Sequence, residues 1–277
     1  MANINNHTEF ANVYGTSDAD NIDNFAKGAG VYAFEGDDLI RDFYAQYSTV
    51  QGYGGNDTVY NFSDYAVIDG GEDDDYIGNS AANVTILGGD GEDTVLSDKD
   101  LVLVNIQGGE SEDVINNFSN WSTVDGGEDE DTIRNFGNHS VILGGRDNDS
   151  INSNYDASNV LLSGGEGNDS LTNHSAWSTI EGGAGNDHIH NDAENVTILY
   201  GKNPGNDVIH NFGSGTTILF TDANVDDVIY ADRNRIIFNT SNSIYLSSSI
   251  EGSNLDVTYK FSNGAEYVYS NGSYVAK

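Results

Sequence analysis

Apolar residues recur along the chain in two columns with a period of about 18 residues, one on each side of an acidic, glycine-rich segment. β-Branched residues dominate both columns, which is typical of short strands with one buried face. Glycine pairs in nearly every period exclude long helices. The column two residues after a recurring Asp is Ile22, Ile40, Val59, Ile77, Val95, Ile115, Ile133, Ile151, Leu171, Ile189 and Ile209. The column seven residues before it is Val50, Ile68, Ile86, Ile106, Val124, Ile142, Leu162 and Ile180.

The recurring Asp ends a turn of the form Gly-Gly-x-x-x-Asp-x-Ile, as in GGEDDDYI (70–77) and GGAGNDHI (182–189). Successive Asp residues are 18 to 20 positions apart. A fixed period of this length predicts an all-β parallel solenoid, or β-roll, of ~18-residue coils that stack only on their neighbours. The Asp residues are Asp20, Asp38, Asp57, Asp75, Asp93, Asp113, Asp131, Asp149, Asp169, Asp187 and Asp207.

A second, non-acidic turn completes each coil. Asn lies four residues after the Asp in most coils, and Phe often follows it. We expect the Asn amides to form a ladder in this turn and the Phe rings to fill the interior beneath it. Longer coils place their extra residues mainly in this turn, where insertions cost little. The Asn residues are Asn24, Asn61, Asn79, Asn117, Asn135, Asn173, Asn191 and Asn211, and the Phe residues are Phe25, Phe43, Phe62, Phe118, Phe136 and Phe212.

The repeat pattern fades after Asp207 and predicts three segments. Residues 15–229 form the repeats, and residues 230–277 are a strand-rich C-terminal cap whose Asn-Gly turns indicate hairpins. Residues 1–14 form a smaller N-terminal cap. Caps are expected because the ends of a solenoid expose unpaired strand edges.

Charge narrows the range of partners. The chain carries 45 acidic and 10 basic residues, a formal charge of −35, which disfavours nucleic acid and anionic membranes and favours cations. There is no Cys, which excludes disulfides and thiolate metal sites. No apolar run reaches the ~20 residues of a membrane span. The first residues lack the basic and apolar regions of a Sec-type signal peptide.

The Asp column creates an electrostatic problem that a cation would solve. Coils stack ~4.8 Å apart, and two like charges at that distance repel by about 0.9 kcal/mol in water and by more at a lower dielectric constant. Carboxylates and backbone carbonyls, without His or Cys, form a hard oxygen ligand set. Such a set suits Ca²⁺ best, because Ca²⁺ accepts six to eight oxygens in loose geometry.

These turns resemble the GGxGxDxUx nonapeptide of RTX (haemolysin-type) calcium-binding repeats, over roughly residues 15–209. The resemblance implies a parallel β-roll with Ca²⁺ between adjacent turns, bound by the motif Asp and backbone carbonyls. It also implies type I secretion into calcium-rich surroundings. The glycines implied to supply carbonyls are Gly70, Gly88, Gly108, Gly126, Gly144, Gly164 and Gly182.

The chain departs from the family pattern in two respects. Only one turn per coil carries the motif, which predicts a single calcium row. The fourth position, ordinarily Gly, is Asp73, Ser111, Asp129 or Asp147 in four turns. Asp tolerates positive φ better than most residues, so we expect those turns to bind calcium, though more weakly.

An aromatic-rich column lies ten residues before the Asp. It contains Tyr47, Tyr65, Trp121, His139 and Trp177, and it is interrupted by Asn83, Leu103 and Asn159. Two interpretations stay open. The rings could stack on sugars or a partner surface, or they could shield the coil edge, which the interruptions favour.

The sequence favours a non-enzymatic protein. It contains no HExxH, GxSxG or P-loop motif, and the paired acids all belong to the repeat. His190 and His210 share a column, but two His residues without a third ligand are typical of an ordinary surface. The leading hypothesis is a secreted or cell-surface protein that folds with calcium and has a structural or adhesive role, with self-association open. The alternatives are a glycan- or host-surface-binding module and the repeat module of a larger secreted enzyme.

Overall fold

The chain folds into a parallel β-solenoid of about 12 turns with a spacing near 18 residues, which confirms the predicted fold class. The computed structural model describes residues 2–201, 205–211, 213–221, 228–232, 235–238, 243–247, 257–270 and 273–277. Regular structure within these residues is β throughout. The chain divides into two compact units, 1–141 and 142–277.

In the first unit, each coil contributes one strand to each of two parallel sheets. The odd-numbered strands follow the repeat Asp: β1 Asn3–Asn6, β3 Asn21–Asn24, β5 Leu39–Asp42, β7 Thr58–Asn61, β9 Tyr76–Asn79, β11 Thr94–Ser97, β13 Val114–Asn117 and β15 Thr132–Asn135. The even-numbered strands precede it: β2 Val13–Tyr14, β4 Gly30–Glu35, β6 Thr49–Gly54, β8 Val67–Glu72, β10 Thr85–Asp90, β12 Asn105–Glu110 and β14 Thr123–Gly127.

The second unit repeats this arrangement. Its odd-numbered strands are β17 Ser150–Ser153, β19 Ser170–Asn173, β21 His188–Asn191 and β23 Asn206–Asn211. Its even-numbered strands are β16 Val141–Arg146, which begins at the unit boundary, β18 Leu161–Glu166, β20 Thr179–Ala184, β22 Thr197–Tyr200 and β24 Thr217–Phe220.

Antiparallel strands follow the last coils. In one sheet β25 Val228–Asp232, β26 Arg235–Phe238 and β27 Ser243–Ser247 pair antiparallel, and β27 joins β23 in parallel. The second sheet ends in three antiparallel strands, β28 Val257–Phe261, β29 Glu266–Ser270 and β30 Ser273–Ala276. Of these, β28 pairs in parallel with β24. The predicted hairpins are therefore present, whereas the boundaries of the segments 1–14, 15–229 and 230–277 stay predictions.

Both apolar columns lie inside the coils, as predicted. Every member of the two columns is at most 2 % exposed. The strands alternate between buried and exposed positions, so each coil has a narrow core bounded by two sheets. The next inward position is Gly on the strand before the Asp and, in most coils, Asn on the strand after it.

The predicted Asn ladder is present. Asn61 Nδ2 donates to Asn79 Oδ1 at 2.7 Å, and Asn117 Nδ2 donates to Asn135 Oδ1 at 2.8 Å. In the second unit Asn173, Asn191 and Asn211 form the same chain, with distances of 2.8 and 2.6 Å. These side chains are buried and also bond the backbone two residues later, so they replace the backbone pairing that a turn lacks.

The Phe residues do not fill the interior, contrary to expectation. They follow an inward Asn, so strand alternation points them outward. The rings stack on each other along the outer surface, with centroids 5.0 Å apart for Phe25 and Phe43 and 4.2 Å apart for Phe118 and Phe136. Phe25 is exposed and the other four are half-buried, while Phe212 lies outside the described residues.

One carboxylate interrupts the Asn ladder. Asp42 occupies the ladder position in β5, fully buried, and accepts hydrogen bonds from Asn24 Nδ2 at 2.7 Å and from Ser48 Oγ. Burial raises the pKa of Asp42, and the hydrogen bonds from Ser48, Asn24 and Ser63 oppose that shift. An acid whose pKa is raised on folding destabilises the folded state above that pKa, and this cost disappears once the unfolded chain is also protonated.

Asp42→Asn is therefore expected to stabilise the protein at neutral pH. We expect the free energy of unfolding to rise by about 1–3 kcal/mol at pH 8, with the gain shrinking to zero as the pH falls toward 4. Urea unfolding of the two proteins in the same calcium buffer measures the difference. The reverse exchange, Asn61→Asp, should show the opposite sign, and a loss of stability in Asp42→Asn at every pH would contradict the assignment.

Candidate metal centre

The repeat Asp residues form a buried column beside the acidic turn. All eleven are only 1–3 % exposed. Within each unit, the backbone N–H of one Asp donates to Oδ1 of the Asp in the following coil, at 2.5–2.9 Å. Asp75 N–H, for example, bonds Asp93 Oδ1 at 2.8 Å. One oxygen of each carboxylate therefore fixes the register between coils.

The second carboxylate oxygen has no such partner. Oδ2 is buried and accepts no hydrogen bond in Asp38, Asp57, Asp75, Asp93, Asp113, Asp169 and Asp187. Burying an ionised oxygen without compensation is costly, and native proteins rarely leave such atoms unsatisfied. A row of them indicates that each Oδ2 binds something positive, either a cation or a proton.

The first glycine of each pair provides the space for Oδ2. A Cβ built on Gly70 would lie 2.2 Å from Asp75 Oδ2 and 2.5 Å from the Gly88 carbonyl oxygen of the next coil. The same holds at Gly52, Gly88, Gly108, Gly144 and Gly164, where both distances are 2.1–2.4 Å, and at Gly182 for Asp187 Oδ2. The Gly126 carbonyl lies against the same point in the Gly108 coil. The first glycine of each pair, called the inner glycine below, therefore leaves a space where its side chain would be. The Asp Oδ2 and the glycine carbonyl of the next coil both border this space, which we call the cradle.

Positive φ occurs at the second glycine and at the fourth position of the turn, and not at the first glycine. The second glycine of each pair has φ between 113° and 137°. The fourth position is also left-handed, including the four turns without Gly, where φ is 73° at Asp73, 79° at Ser111, 73° at Asp129 and 67° at Asp147. Those turns keep a positive φ without Gly, and calcium binding at them stays a prediction. The first glycine is required for a different reason, which is the room it leaves for the carboxylate.

Burial raises the pKa of the column carboxyls, and neighbouring negative charges add to the effect, whereas the backbone N–H bond to Oδ1 opposes it. The pKa is about 6 for Asp38, Asp93 and Asp169, about 7 for Asp57, Asp131 and Asp207, and about 8 for Asp75 and Asp113. Burial also raises the pKa of Asp187. Near neutral pH, the column without cations is thus divided between protonated and strained ionised forms.

The first column position differs from the rest. Both oxygens of Asp20 accept hydrogen bonds: Oδ1 from Ala2 N–H, and Oδ2 from Thr16 N–H at 2.8 Å and Thr16 Oγ1 at 2.9 Å. Burial alone would raise its pKa, but these bonds outweigh burial and lower it. In the next coil Ala33 replaces the inner glycine. The glycine cradles therefore begin at Gly52.

Tyr200 ends the row of cradles on its C-terminal side. Strand register places Tyr200 opposite Gly182, followed by Phe220 and Phe261 in the same column. All three are buried, and the rings of Phe220 and Phe261 stack at 4.9 Å. Tyr200 lines a small cavity with Glu181 and Asp207. Burial raises the pKa of Tyr200, and Asp207 and Asp187 add to the effect, so its hydroxyl stays protonated.

In several coils the residue before the Asp forms an outer ladder that the sequence did not reveal. Its side chain accepts the backbone N–H of the same position in a neighbouring coil, as in Glu92 N–H to Asp74 Oδ1 at 3.0 Å. Asn186 N–H bonds Asn168 Oδ1 at 2.8 Å in the same way. These side chains are exposed, so they stabilise the turn without closing the buried cradle.

The donor set fits a hard divalent cation. Among the described residues, no three Asp, Glu or His side chains converge on one point. An ion in the column would therefore be held by Oδ2 atoms of successive Asp residues together with the glycine carbonyls beside them. All of these are oxygens, which Ca²⁺ prefers.

The other candidate residues lie away from this centre. Tyr47, Tyr65, Trp121 and Trp177 are exposed at the non-acidic turn. His190 and His210 are register partners, but the closest ring contact is between His188 and His210, whose centroids are 4.9 Å apart. Burial lowers the pKa of His188, and His210 and His190 reinforce the shift.

Comparison of the sequence with protein-family models and with characterised proteins finds no match. Within the described residues, no helix is long and apolar enough to cross a membrane.

Proposed function

We propose that this protein binds a row of calcium ions along its Asp column and depends on them to fold. A single observation carries the proposal: buried, unsatisfied Oδ2 atoms repeat coil after coil, each beside a glycine carbonyl in a cradle that no side chain fills. Stacked carboxylates repel, and cations between them convert that repulsion into attraction. Residues Asp57 to Asp187 have the inner glycine and form the proposed row, whereas Asp20, Asp38 and Asp207 are less suited.

Calcium is favoured over other ions by the type and arrangement of the donors. The row offers no nitrogen or sulfur ligands, which disfavours zinc and copper. Its oxygens belong to a repeating backbone rather than to a compact octahedron, which disfavours Mg²⁺. The role that follows is structural, with no catalytic group required.

We further propose a secreted or cell-surface location and membership of the RTX-like repeat proteins. The turn motif supports the family, and a row of weak oxygen sites suits the millimolar calcium outside cells. An acidic solenoid that folds only outside the cell would serve as a structural or adhesive element.

The metal content of the purified protein tests the proposal. Inner-glycine coils leave four spaces between Asp57 and Asp131 in the first unit and two between Asp149 and Asp187 in the second. We therefore expect at least six calcium ions per chain at equilibrium dialysis against millimolar calcium, measured by elemental analysis of the protein and buffer compartments. Magnesium at the same concentration should give fewer ions. A chain that retains less than one calcium ion would refute the proposal.

A further inference from the structure

The non-acidic turn of every coil places one residue in the left-handed conformation at an exposed edge. We call these residues the edge column. Their φ values lie between 56° and 66°. In the first unit they are Phe10, Gly28, Tyr47, Tyr65, Asn83, Leu103, Trp121 and His139, and in the second unit they include Asn159, Trp177 and Asn195.

The aromatic residues in this column have a strained backbone conformation. Positive φ suits Gly and Asn, and it is strained for bulky side chains. Gly28, Asn83 and Asn159 show that the position accepts unstrained residues. The chain has two Trp residues in all, and both occupy the edge column, Trp121 at φ 58° and Trp177 at φ 61°.

Burial does not explain these rings either. Trp121 is 57 % exposed and Trp177 is 65 % exposed. The contribution of the backbone is the same for any residue, since Trp121 N–H donates to Asn138 O at 2.8 Å just as Asn83 N–H donates to Val102 O at 3.0 Å. Exposed aromatic groups that neither fill a core nor relieve strain mark a recognition surface.

Each Trp has stacked aromatic rings on the same edge. In the first unit, Trp121 stacks on His139 at 4.1 Å, and Phe118 stacks on Phe136 at 4.2 Å across the turn. In the second unit, Tyr155 stacks on His174 at 4.2 Å, and Asp192 bonds both rings. His174 lies three residues before Trp177 in the same turn. Within a stacked pair, the rings follow the coil spacing of ~4.8 Å.

The segments that contain the two Trp residues carry no charged side chain of their own. Residues 114–123, 135–145 and 170–180 contain no Asp, Glu, Lys or Arg, although the chain carries −35 overall. Their polar groups are amides, hydroxyls and imidazoles. The charged groups beside these segments are mostly acidic, such as Asp192 and Glu194 in the coil after Trp177, so this surface would repel a polyanion.

We propose that the edge column binds neutral polysaccharide chains, through Trp121 in the first unit and, separately, through Trp177 in the second. A pyranose ring presents apolar C–H faces that stack on aromatic rings and hydroxyls that pair with amides, which is the combination found here. The inference is independent of the calcium row, because the two features lie at opposite turns of the coil.

Affinity electrophoresis in gels that contain hydroxyethylcellulose, xylan, galactomannan, laminarin or dextran tests the inference, with alginate as the polyanion. We expect at least one neutral polysaccharide to retard the protein and alginate to leave it unretarded. Failure of all five neutral polymers, or retardation by alginate alone, would overturn the inference.

The decisive variants are Trp121→Asn and Trp177→Asn, singly and together. Because Asn83, Asn159 and Asn195 occupy the same position, the variants should fold with undiminished thermal stability while the double variant loses affinity about tenfold or more. Tyr60→Thr, which removes an exposed ring from the odd-numbered sheet, is the matched control and should bind normally. Equal affinity of the double variant and the wild type would refute the role of the edge column.

Gels run in calcium and in EDTA, with circular dichroism of each sample, separate the two proposals. A protein that stays folded in EDTA and is still retarded would contradict the calcium proposal alone. A protein that folds only with calcium and ignores every glycan would contradict the edge-column inference alone.

Discussion

In excess EDTA at pH 8, the protein is expected to lose its strand signal in circular dichroism, and millimolar calcium is expected to restore it. The reason is that ionised carboxylates buried in the Asp column destabilise the folded state when no cation neutralises them. Each unit of pKa elevation corresponds to about 1.4 kcal/mol. Eight column carboxyls have a pKa of about 6 to 8, so ionising them together would consume a large part of the ~5–15 kcal/mol that stabilises a typical domain.

Two controls identify the cause of such unfolding. Sodium chloride at high concentration screens the exposed charges but not the buried ones. EDTA should therefore still unfold the protein in about 0.5 M sodium chloride, which is roughly three times the physiological ionic strength. Magnesium in place of calcium should restore the signal only in part. Melting curves that coincide with and without EDTA would rule out a calcium-dependent fold.

Acid should rescue the protein without metal. The folded pKa values of the column, about 6 for Asp93 and about 8 for Asp75 and Asp113, lie above that of an ordinary carboxyl. A carboxyl with a raised pKa costs stability above that pKa, and the cost falls as the pH drops through it. We therefore expect the strand signal in EDTA to return between pH 8 and pH 5. Continued loss of signal over this range would contradict the buried column.

The periodic part of the fold could be predicted from the sequence because each coil repeats the same local choices. A spacing of two or seven residues from an Asp was enough to identify buried columns such as Ile77 and Ile68, since strand alternation fixes the side of the sheet. The Asn ladder followed from the same register. The Phe prediction was wrong for the same reason, because the residue after an inward Asn must point outward.

Features that depend on contacts between coils could not be predicted from one period. The role of Gly70 is visible only when Asp75 and the Gly88 carbonyl are placed around it. Tyr200 reaches the cradle position because the last long coil has its two extra residues in the acidic turn rather than the other turn, which shifts Tyr200 against Gly182. Register across an insertion is a property of the stacked chain, and the spacing of motifs alone does not give it.

Replacing the inner glycine of a cradle should be among the most damaging single changes in the repeats. A Cβ on Gly52 would lie 2.2 Å from both Asp57 Oδ2 and the Gly70 carbonyl oxygen. Neither group can retreat, since Asp57 Oδ1 is bonded to Asp38 N–H at 2.7 Å and Gly70 belongs to β8. We expect Gly52→Ala to lower the free energy of unfolding in calcium by about 3 kcal/mol or more and to remove one or two bound calcium ions.

Gly54→Ala is the matched control for this change. Gly54 is also a buried residue of β6, two positions away, but its added Cβ would meet only Glu35 Oε2, at 3.4 Å. Urea unfolding should show a cost below about 1 kcal/mol for Gly54→Ala and an unchanged calcium content. Repeating the Gly52→Ala measurement in EDTA at pH 5 separates two contributions to the loss of unfolding free energy. The steric clash of the added Cβ is present in both buffers, whereas the loss of bound calcium lowers stability only in the calcium buffer. A smaller cost in EDTA than in calcium is expected, and equal costs in the two buffers would show that the cradle holds the carboxylate without holding a cation.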